Sequence, residues 1–185
     1  MDDKKYNLLD EPWICVMKEN GEVKELSLMD VLLHAHQYRR LAGELPTQDV
    51  AVLRLLLAVL QTVVYRYDTD GNEDELVETE DAYERWKEIW NEGKLPEKPI
   101  REYLTKWKER FYLYDSDRPF YQVPKAAIGT ECKAAKLNGE ISESSNKLRL
   151  FSNRAGKEKE FLSNSEAARW LLYLNGYDDT SAKPK

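Results

Sequence analysis

The sequence has few metal-binding and disulfide-forming residues: two cysteines and two histidines among 185. Cys15 and Cys132 are far apart, and two cysteines make no disulfide framework, so we expect a reduced, cytoplasmic protein. His34 and His36 are two positions apart on a predicted helix, where their side chains point about 200° from each other. They cannot chelate one metal ion there, and we predict a structural or surface role for both.

Long apolar runs are also missing. No stretch approaches the roughly 20 uncharged apolar residues of a membrane-spanning helix. No apolar run follows the charged first five residues, so we expect no signal peptide. Hydrophobic residues make up 42% of the chain and charged residues 34%, which indicates a soluble, folded protein with room for one domain.

Known catalytic and cofactor-binding motifs are absent. The sequence has no Walker loop, dinucleotide fingerprint, CxxC pair, HExxH motif or nucleophile elbow. The acidic run 68–75 resembles a calcium loop, but its sixth position is Glu73, where an EF-hand needs glycine. We therefore predict no metal, no cofactor and no catalytic site, since an active site usually leaves a cluster of titratable groups.

Charge is distributed unevenly along the chain. Residues 73–102 contain 11 acidic and 5 basic side chains, whereas residues 125–160 contain 8 basic and 5 acidic ones. An acidic protein with a basic segment can still bind a polyanion, because the local charge determines the contact. Ordinary solvated surface is the alternative interpretation of the same pattern.

The residue pattern predicts an α+β fold, a mainly helical domain with a small N-terminal β-hairpin, short additional strands and a long polar loop. The hairpin joins residues 13–17 to 22–26 through a type I′ turn at Asn20-Gly21. Residues 111–114 and 120–123 are predicted as two further strands around a turn.

Five helices are predicted from apolar periodicity and capping residues. The first spans Ser27 to Leu41, with Ser27 as its cap. The second is capped by Thr47 and is apolar on nearly all sides, so it should lie in the core. The third ends at Gly93, Pro99 opens the fourth, and the last runs from Ser165 to Leu174 with Gly176 ending it. Aromatic stripes on the third and fourth helices are predicted to be buried: Tyr83, Trp86, Trp90, Tyr103, Trp107 and Phe111.

The polar segment from Lys125 to Phe161 is the candidate nucleic-acid-binding region. It has poor regular patterning, and long irregular segments are usually functional or disordered. Cations hold phosphates, amides read base edges and an aromatic ring can stack or wedge. A plain surface loop with Phe151 in the core is the alternative. The candidate residues are Asn146, Lys147, Arg149, Phe151, Asn153, Arg154, Lys157 and Lys159.

Several phrases resemble a known family, the large subunit CasA of the type I-E CRISPR complex Cascade. They are ordered along the chain with compatible spacing. The phrases are Asn7-Leu-Leu-Asp-Glu-Pro-Trp-Ile14, Leu41-Ala-Gly-Glu-Leu-Pro-Thr47, Arg118-Pro-Phe-Tyr-Gln-Val123, Leu150-Phe151 and Ser165-Glu-Ala-Ala-Arg-Trp-Leu-Leu172.

The resemblance implies that residues 1–185 are an N-terminal domain without the C-terminal four-helix bundle of that family. It implies a non-catalytic, nucleic-acid-binding subunit for antiviral defence. Expected partners are the other Cascade subunits and the 5′ handle of the guide RNA, double-stranded target DNA and the Cas3 nuclease-helicase, with no membrane.

The resemblance also implies where the family's loops should fall. A loop near the guide's 5′ handle, which supports recognition of the protospacer-adjacent motif, maps to about Phe151–Phe161. A glycine-rich loop that reads the motif should fall near Asp178–Lys185 or just beyond, where this sequence has no glycine. Two alternatives remain open: a purely structural docking module with the DNA contacts elsewhere, or an enzyme or metal protein whose site is unrecognised.

Overall fold

The computed structural model describes residues 4–128, 134–137, 154 and 160–177. Within these residues, helices and two small antiparallel sheets pack around one core, which confirms the predicted α+β class. The strands are β1 Lys5–Asn7, β2 Ile14–Met17, β3 Val23–Leu26, β4 Arg40–Leu41 and β5 Tyr112–Tyr114. The α-helices are α1 Leu28–Leu33, α2 Pro46–Arg66, α3 Thr79–Glu92, α4 Glu97–Lys106, α5 Ala134–Leu137 and α6 Asn164–Tyr177.

The N-terminal hairpin is confirmed, but its turn differs from the prediction. Strands β2 and β3 pair antiparallel, with Ile14 opposite Leu26. Only Gly21 has a positive φ, at +83°, whereas a type I′ turn needs positive φ at Asn20 as well. The Gly21 amide donates to the Lys18 carbonyl at 3.0 Å, so the loop has three residues, with glycine in the left-handed position.

The first helix is less than half the predicted length, with 6 residues. Ser27 caps it as predicted, accepting a hydrogen bond from the Asp30 amide at 3.1 Å. The helix ends at Leu33, and a 3₁₀ turn at Ala35–Gln37 leads into β4, which pairs with β2. The free edge of β2 thus takes up the backbone groups of residues 39–42, and this sheet pairing overrides the helical periodicity.

The second helix is the centre of the core, as predicted. Its buried residues include Ala51, Val52, Leu55, Leu56, Val59, Leu60, Val63 and Val64. Among the described residues, α2 is the helix whose length and apolar composition would allow it to cross a membrane. Half of its apolar stretch, however, is buried inside the fold. The prediction that Thr47 caps it is wrong: Leu45 is the N-cap and Pro46 the first helical residue.

The predicted burial of the aromatic stripe on α3 is wrong. Trp90 is 84% exposed, Tyr83 65% and Trp86 40%, while Ile89 is buried. The side chain that faces inward with Ile89 is Arg85, which donates to the carbonyls of Val64 at 2.8 Å and Tyr67 at 3.1 Å. These carbonyls at the end of α2 hold the arginine, so α3 is rotated with its aromatic side toward solvent. Gly93, at φ +67°, ends the helix as predicted.

The region after α3 is partly as predicted. Helix α4 begins at Glu97, ahead of Pro99, and buries Ile100 and Leu104. Phe111 is buried as well, whereas Tyr103 is half-buried and Trp107 lies at the surface. Strand β5 is confirmed, and its partner is β1, which the sequence analysis did not predict.

The predicted strand 120–123 does not form. The chain turns there: Tyr121 has a φ of +54°, which no strand residue adopts, and Pro124 begins a 3₁₀ helix that ends at Ile128.

The C-terminal helix α6 packs against α2. Its capping box is confirmed, because the Ser163 amide donates to Glu166 at 2.7 Å and the Glu166 amide donates to the Ser163 hydroxyl at 3.2 Å. The helix continues to Tyr177 and so includes Gly176, which was predicted to end it. Helix α5 lies inside the segment predicted to be irregular, and it packs against α6.

Candidate nucleic-acid interface

The eight residues predicted to bind nucleic acid or a protein neighbour fall mostly outside the described residues. Arg154 is the one member that the structure describes. The other seven are Asn146, Lys147, Arg149, Phe151, Asn153, Lys157 and Lys159, all of which lie outside. Their assignment to a binding loop therefore stays a prediction.

Arg154 is held by two carboxylates from distant parts of the chain. Its Nη2 lies 2.6 Å from Glu44 Oε2 and 2.9 Å from Glu166 Oε1. Only 9% of the arginine side chain is exposed. Glu44 precedes α2, and Glu166 lies in the first turn of α6. Arg154 thus connects the polar segment to the starts of both helices.

Glu44 is the centre of a larger network of charged groups. Its second oxygen, Oε1, accepts a hydrogen bond from the Trp170 indole at 3.0 Å and lies 4.0 Å from Arg169 Nη2. Its backbone amide donates to Gln48 Oε1 at 3.1 Å. A carboxylate with several donors in a partly buried position is strongly oriented. The loop before α2 is therefore tied to α6 through one side chain.

Arg169 extends the network to the N-terminal hairpin. Its Nη1 donates to the Trp13 carbonyl and to Glu25 Oε1, both at 2.6 Å. The side chain is 6% exposed, and among the described residues its Nε and Gln48 Nε2 are the buried side-chain nitrogens without a hydrogen-bond partner. The hairpin, the loop before α2 and α6 are thus joined by buried charge pairs as well as by apolar contacts.

The sequence analysis did not identify Glu44, Glu166 and Arg169 as an ionic network. The sequence does contain a signal for Arg169, which is its position in the helix. Arg169 follows Ser165 by four positions and precedes Leu172 by three, so all three lie on the buried face of α6. An arginine within an apolar helix stripe predicts a buried, paired guanidinium. Its partners could not be predicted, because Glu25 and Glu44 are more than 100 residues away in the chain.

The electrostatics of the network favour its charged forms. Burial by itself would lower the pKa of the Arg154 guanidinium, but the hydrogen bonds and charges of Glu44 and Glu166 outweigh it and raise that pKa. Burial likewise would raise the pKa of Glu166, but the Ser163 hydrogen bonds and Arg154 lower it overall. Both groups are therefore ionised at neutral pH.

This arrangement can position a segment of the chain. No group of three His, Cys, Asp or Glu side chains in the described part of the chain could hold a metal ion. The described residues on either side of 138–153 are both tied to α6: α5 packs against it, and Arg154 pairs with its Glu166.

Comparison with known proteins identifies the family. A family model described as CRISPR-associated protein Cse1 matches residues 7–184. A curated relative, CRISPR-associated protein CasA/Cse1 of Thermus thermophilus, is 34% identical over 169 residues, which cover 91% of this chain and 31% of that protein.

Solved structures show the same fold. The crystal structure of Thermobifida fusca Cse1 matches with a TM-score of 0.74 and 33% identity, over 96% of this chain and 31% of that one. A chain of a CRISPR RNA-guided surveillance complex matches in fold alone, with a TM-score of 0.71, 20% identity and cover of 92% of this chain and 34% of that one. The chain spans about a third of the length of these relatives. It belongs to the CRISPR-associated Cse1 family.

Proposed function

We propose that this chain is the N-terminal part of a non-catalytic subunit of a type I-E CRISPR surveillance complex, Cascade, in the cytoplasm. In this role it supports recognition of the protospacer-adjacent motif and binding of target DNA, and it helps recruit the Cas3 nuclease-helicase. The family match over residues 7–184 is the observation that carries the proposal. In RNA-guided systems, base pairing with the guide RNA recognises the target sequence, and the protein itself recognises only a short feature of the DNA duplex.

The charge network supports the proposal by giving the polar segment a rigid base. In the sequence, Arg154 lies between the candidate binding residues Asn153 and Lys157. The carboxylates of Glu44 and Glu166 hold its side chain in place. A binding loop held at one end on a helix keeps its contact residues in register. Lys157 and Lys159 would then contact phosphates, and Phe151 would anchor the loop against the guide's 5′ handle or a neighbouring subunit.

A second candidate is a docking module whose DNA contacts lie elsewhere in the complex. The pairing of Arg154 favours it, because a phosphate would have to displace Glu44 and Glu166 to reach that guanidinium. The acidic excess in residues 73–102 also disfavours contact between α3 and DNA. This candidate predicts that the variants that weaken assembly leave motif-dependent DNA binding unchanged in the complexes that still assemble.

A capture experiment tests both candidates. The full-length protein is incubated with a type I-E complex assembled without its large subunit, and the bound fraction is measured for wild type, Phe151→Ala and the double variant Lys157→Ala/Lys159→Ala. Lys24→Ala/Lys87→Ala removes the same charge from two exposed positions on β3 and α3 and is the matched control. We expect capture of wild type and control, and weaker capture of Phe151→Ala.

DNA binding by the captured complexes completes the test. For Lys157→Ala/Lys159→Ala we expect a slope of log K against log[salt] shallower by about 1.8, from two phosphate contacts on duplex DNA. An unchanged slope would exclude these lysines as phosphate contacts. Absence of capture for the wild-type full-length protein would overturn the assignment to the complex.

A further inference from the structure

An aromatic and cationic cleft lies between α2, the end of α4 and residues 117–124. Its volume is about 590 Å³. Its floor consists of the buried side chains Leu55, Phe111 and Phe120, of which the two phenylalanine rings stack at 5.7 Å. Small-molecule sites typically have about 300–1,000 Å³ and an apolar lining with a few polar groups, so this cleft has the size of a ligand site.

Among the described residues, three arginines and one aspartate line the cleft. Arg118 Nε lies 3.1 Å from Asp117, so that pair is neutral. Arg66 and Arg110 are exposed, and their guanidinium groups make no hydrogen bond or ion pair with any residue that the structure describes. In a protein of net charge −6, two neighbouring guanidinium groups without an acidic partner leave local positive charge for an anion. Guanidinium groups bind phosphate through paired hydrogen bonds.

Exposed aromatic rings stand beside these arginines. Trp107 is 37% exposed and Tyr121 50%, and both line the cleft with the half-buried Tyr103. Tyr121 has a φ of +54°, a left-handed conformation that tyrosine rarely adopts. Gln122 supports this turn, since its side-chain amide donates to the Leu113 carbonyl at 2.8 Å. The turn thus keeps a large ring at the mouth of the cleft at some conformational cost.

We propose that this cleft binds a nucleotide of a single-stranded nucleic acid, with its phosphate on Arg66 and Arg110 and its base stacked on Trp107 or Tyr121. Stacking on exposed rings beside arginines is the usual way in which proteins hold unpaired bases. An acidic peptide would satisfy the guanidinium groups but would leave the flat ring faces without a partner. The inference rests on the proposed function, because an RNA-guided complex holds unpaired strands, and it adds a binding site outside the polar segment.

Binding is tested with a fluorescein-labelled oligo-dT of 15 nucleotides, followed by anisotropy with the full-length protein. We expect Arg66→Ala/Arg110→Ala to weaken binding at least tenfold and to flatten the salt slope by about 1.4, from two phosphate contacts on a single strand. Trp107→Ala should weaken binding at least about fivefold, and Trp107→Phe should restore most of it. Arg39→Ala/Arg40→Ala removes two other exposed arginines and should change little.

Several outcomes would overturn the cleft proposal. Equal losses in the cleft and control double variants would mean that surface charge alone binds the oligonucleotide. A Glu-rich peptide of 15 residues that competes as well as unlabelled oligo-dT would mean that the cleft takes acidic protein segments. The melting temperature of every variant should equal that of wild type, as is expected for exposed side chains, so that a loss of binding reflects the cleft and not the fold. Trp107→Phe is a second, milder substitution of the same ring.

Capture by the complex separates this inference from the proposed function. Wild-type capture with no oligonucleotide binding would overturn the cleft proposal and leave the assignment to the complex standing. Oligonucleotide binding that depends on Arg66, Arg110 and Trp107, without capture, would overturn the assignment and support the cleft. Variants that lose oligonucleotide binding but are still captured would support both.

Discussion

Arg154 and Glu44 are 110 positions apart in the chain, and their side chains meet at 2.6 Å. Glu44 also accepts a hydrogen bond from the Trp170 indole, and Arg154 also pairs with Glu166. This contact joins the end of the polar segment to the loop before α2 and to α6. Loss of this contact should therefore lower the stability of the whole fold and change the position of the polar segment.

Glu44→Ala should destabilise the protein substantially. The change removes one carboxylate partner of the largely buried Arg154 and leaves the Trp170 indole without its acceptor. Removing one partner of a buried charge pair typically costs about 3–5 kcal/mol, and the remaining partners should reduce this to about 2–3 kcal/mol. Urea unfolding measures the change.

Glu97→Ala is the matched control for this substitution. It removes a carboxylate that pairs with Arg101 at the surface, at 2.8 Å, and such exposed pairs contribute little to stability. Equal effects of the two substitutions would show that Glu44 does not organise the network.

Glu166 should make stability depend on acid pH. Its pKa in the fold is below the ordinary value of 4.5, so its charged form stabilises the folded state. That contribution is fully present above pH 4.5 and is lost as the pH falls through the lower pKa of the folded state. Melting temperatures of wild type and Glu166→Gln should differ by a constant amount between about pH 5 and 7 and converge in more acid solution. A difference that persists unchanged down to about pH 3 would contradict the assignment.

Two neighbouring residues of α3 should respond in opposite ways. Ile89 is buried and Trp90 is 84% exposed. Ile89→Ala should cost about 2–4 kcal/mol through the cavity it leaves. Trp90→Ser should change the free energy of unfolding by no more than about 0.5 kcal/mol, as is usual at exposed positions. A large loss for Trp90→Ser would mean that the aromatic side of α3 is covered after all.

Cys15 should react slowly with alkylating reagents in the folded protein. Burial, the largest cause, raises the pKa of its thiol from 9.0 to about 11. Because the thiolate is the reactive form, alkylation by iodoacetamide at pH 8 should be about 100-fold slower than for an ordinary thiol. Mass spectrometry of a Cys132→Ser variant isolates the Cys15 rate. Denaturation should restore the ordinary rate, and a fast rate in the native protein would contradict the raised pKa.

Local patterns predicted the elements whose signals are short-range. The hairpin, the Ser27 cap, the apolar α2, the Gly93 stop and the Ser163–Glu166 capping box depend on neighbours within a few residues, and all are confirmed. The candidate binding segment was chosen on composition, and of its eight named residues only Arg154 lies where the structure describes it.

The errors arose where long-range partners compete with local preference. Residues 39–42 favour a helix by periodicity, but the open edge of β2 offers them sheet hydrogen bonds. The aromatic stripe of α3 resembles a core face, but the carbonyls at the end of α2 need the Arg85 guanidinium, and only one side of the helix can face inward.

The sequence by itself therefore determined the fold class, the core helix and the family, since these depend on apolar periodicity, capping residues and ordered short motifs. Only the tertiary structure decided which charges meet. It brought Glu25, Glu44, Arg154, Glu166 and Arg169 into one network. It left the guanidinium groups of Arg66 and Arg110 beside exposed rings, without an ionic partner among the described residues. Charged side chains are compatible with almost any surface position, so their partners are set by chain topology and not by local pattern.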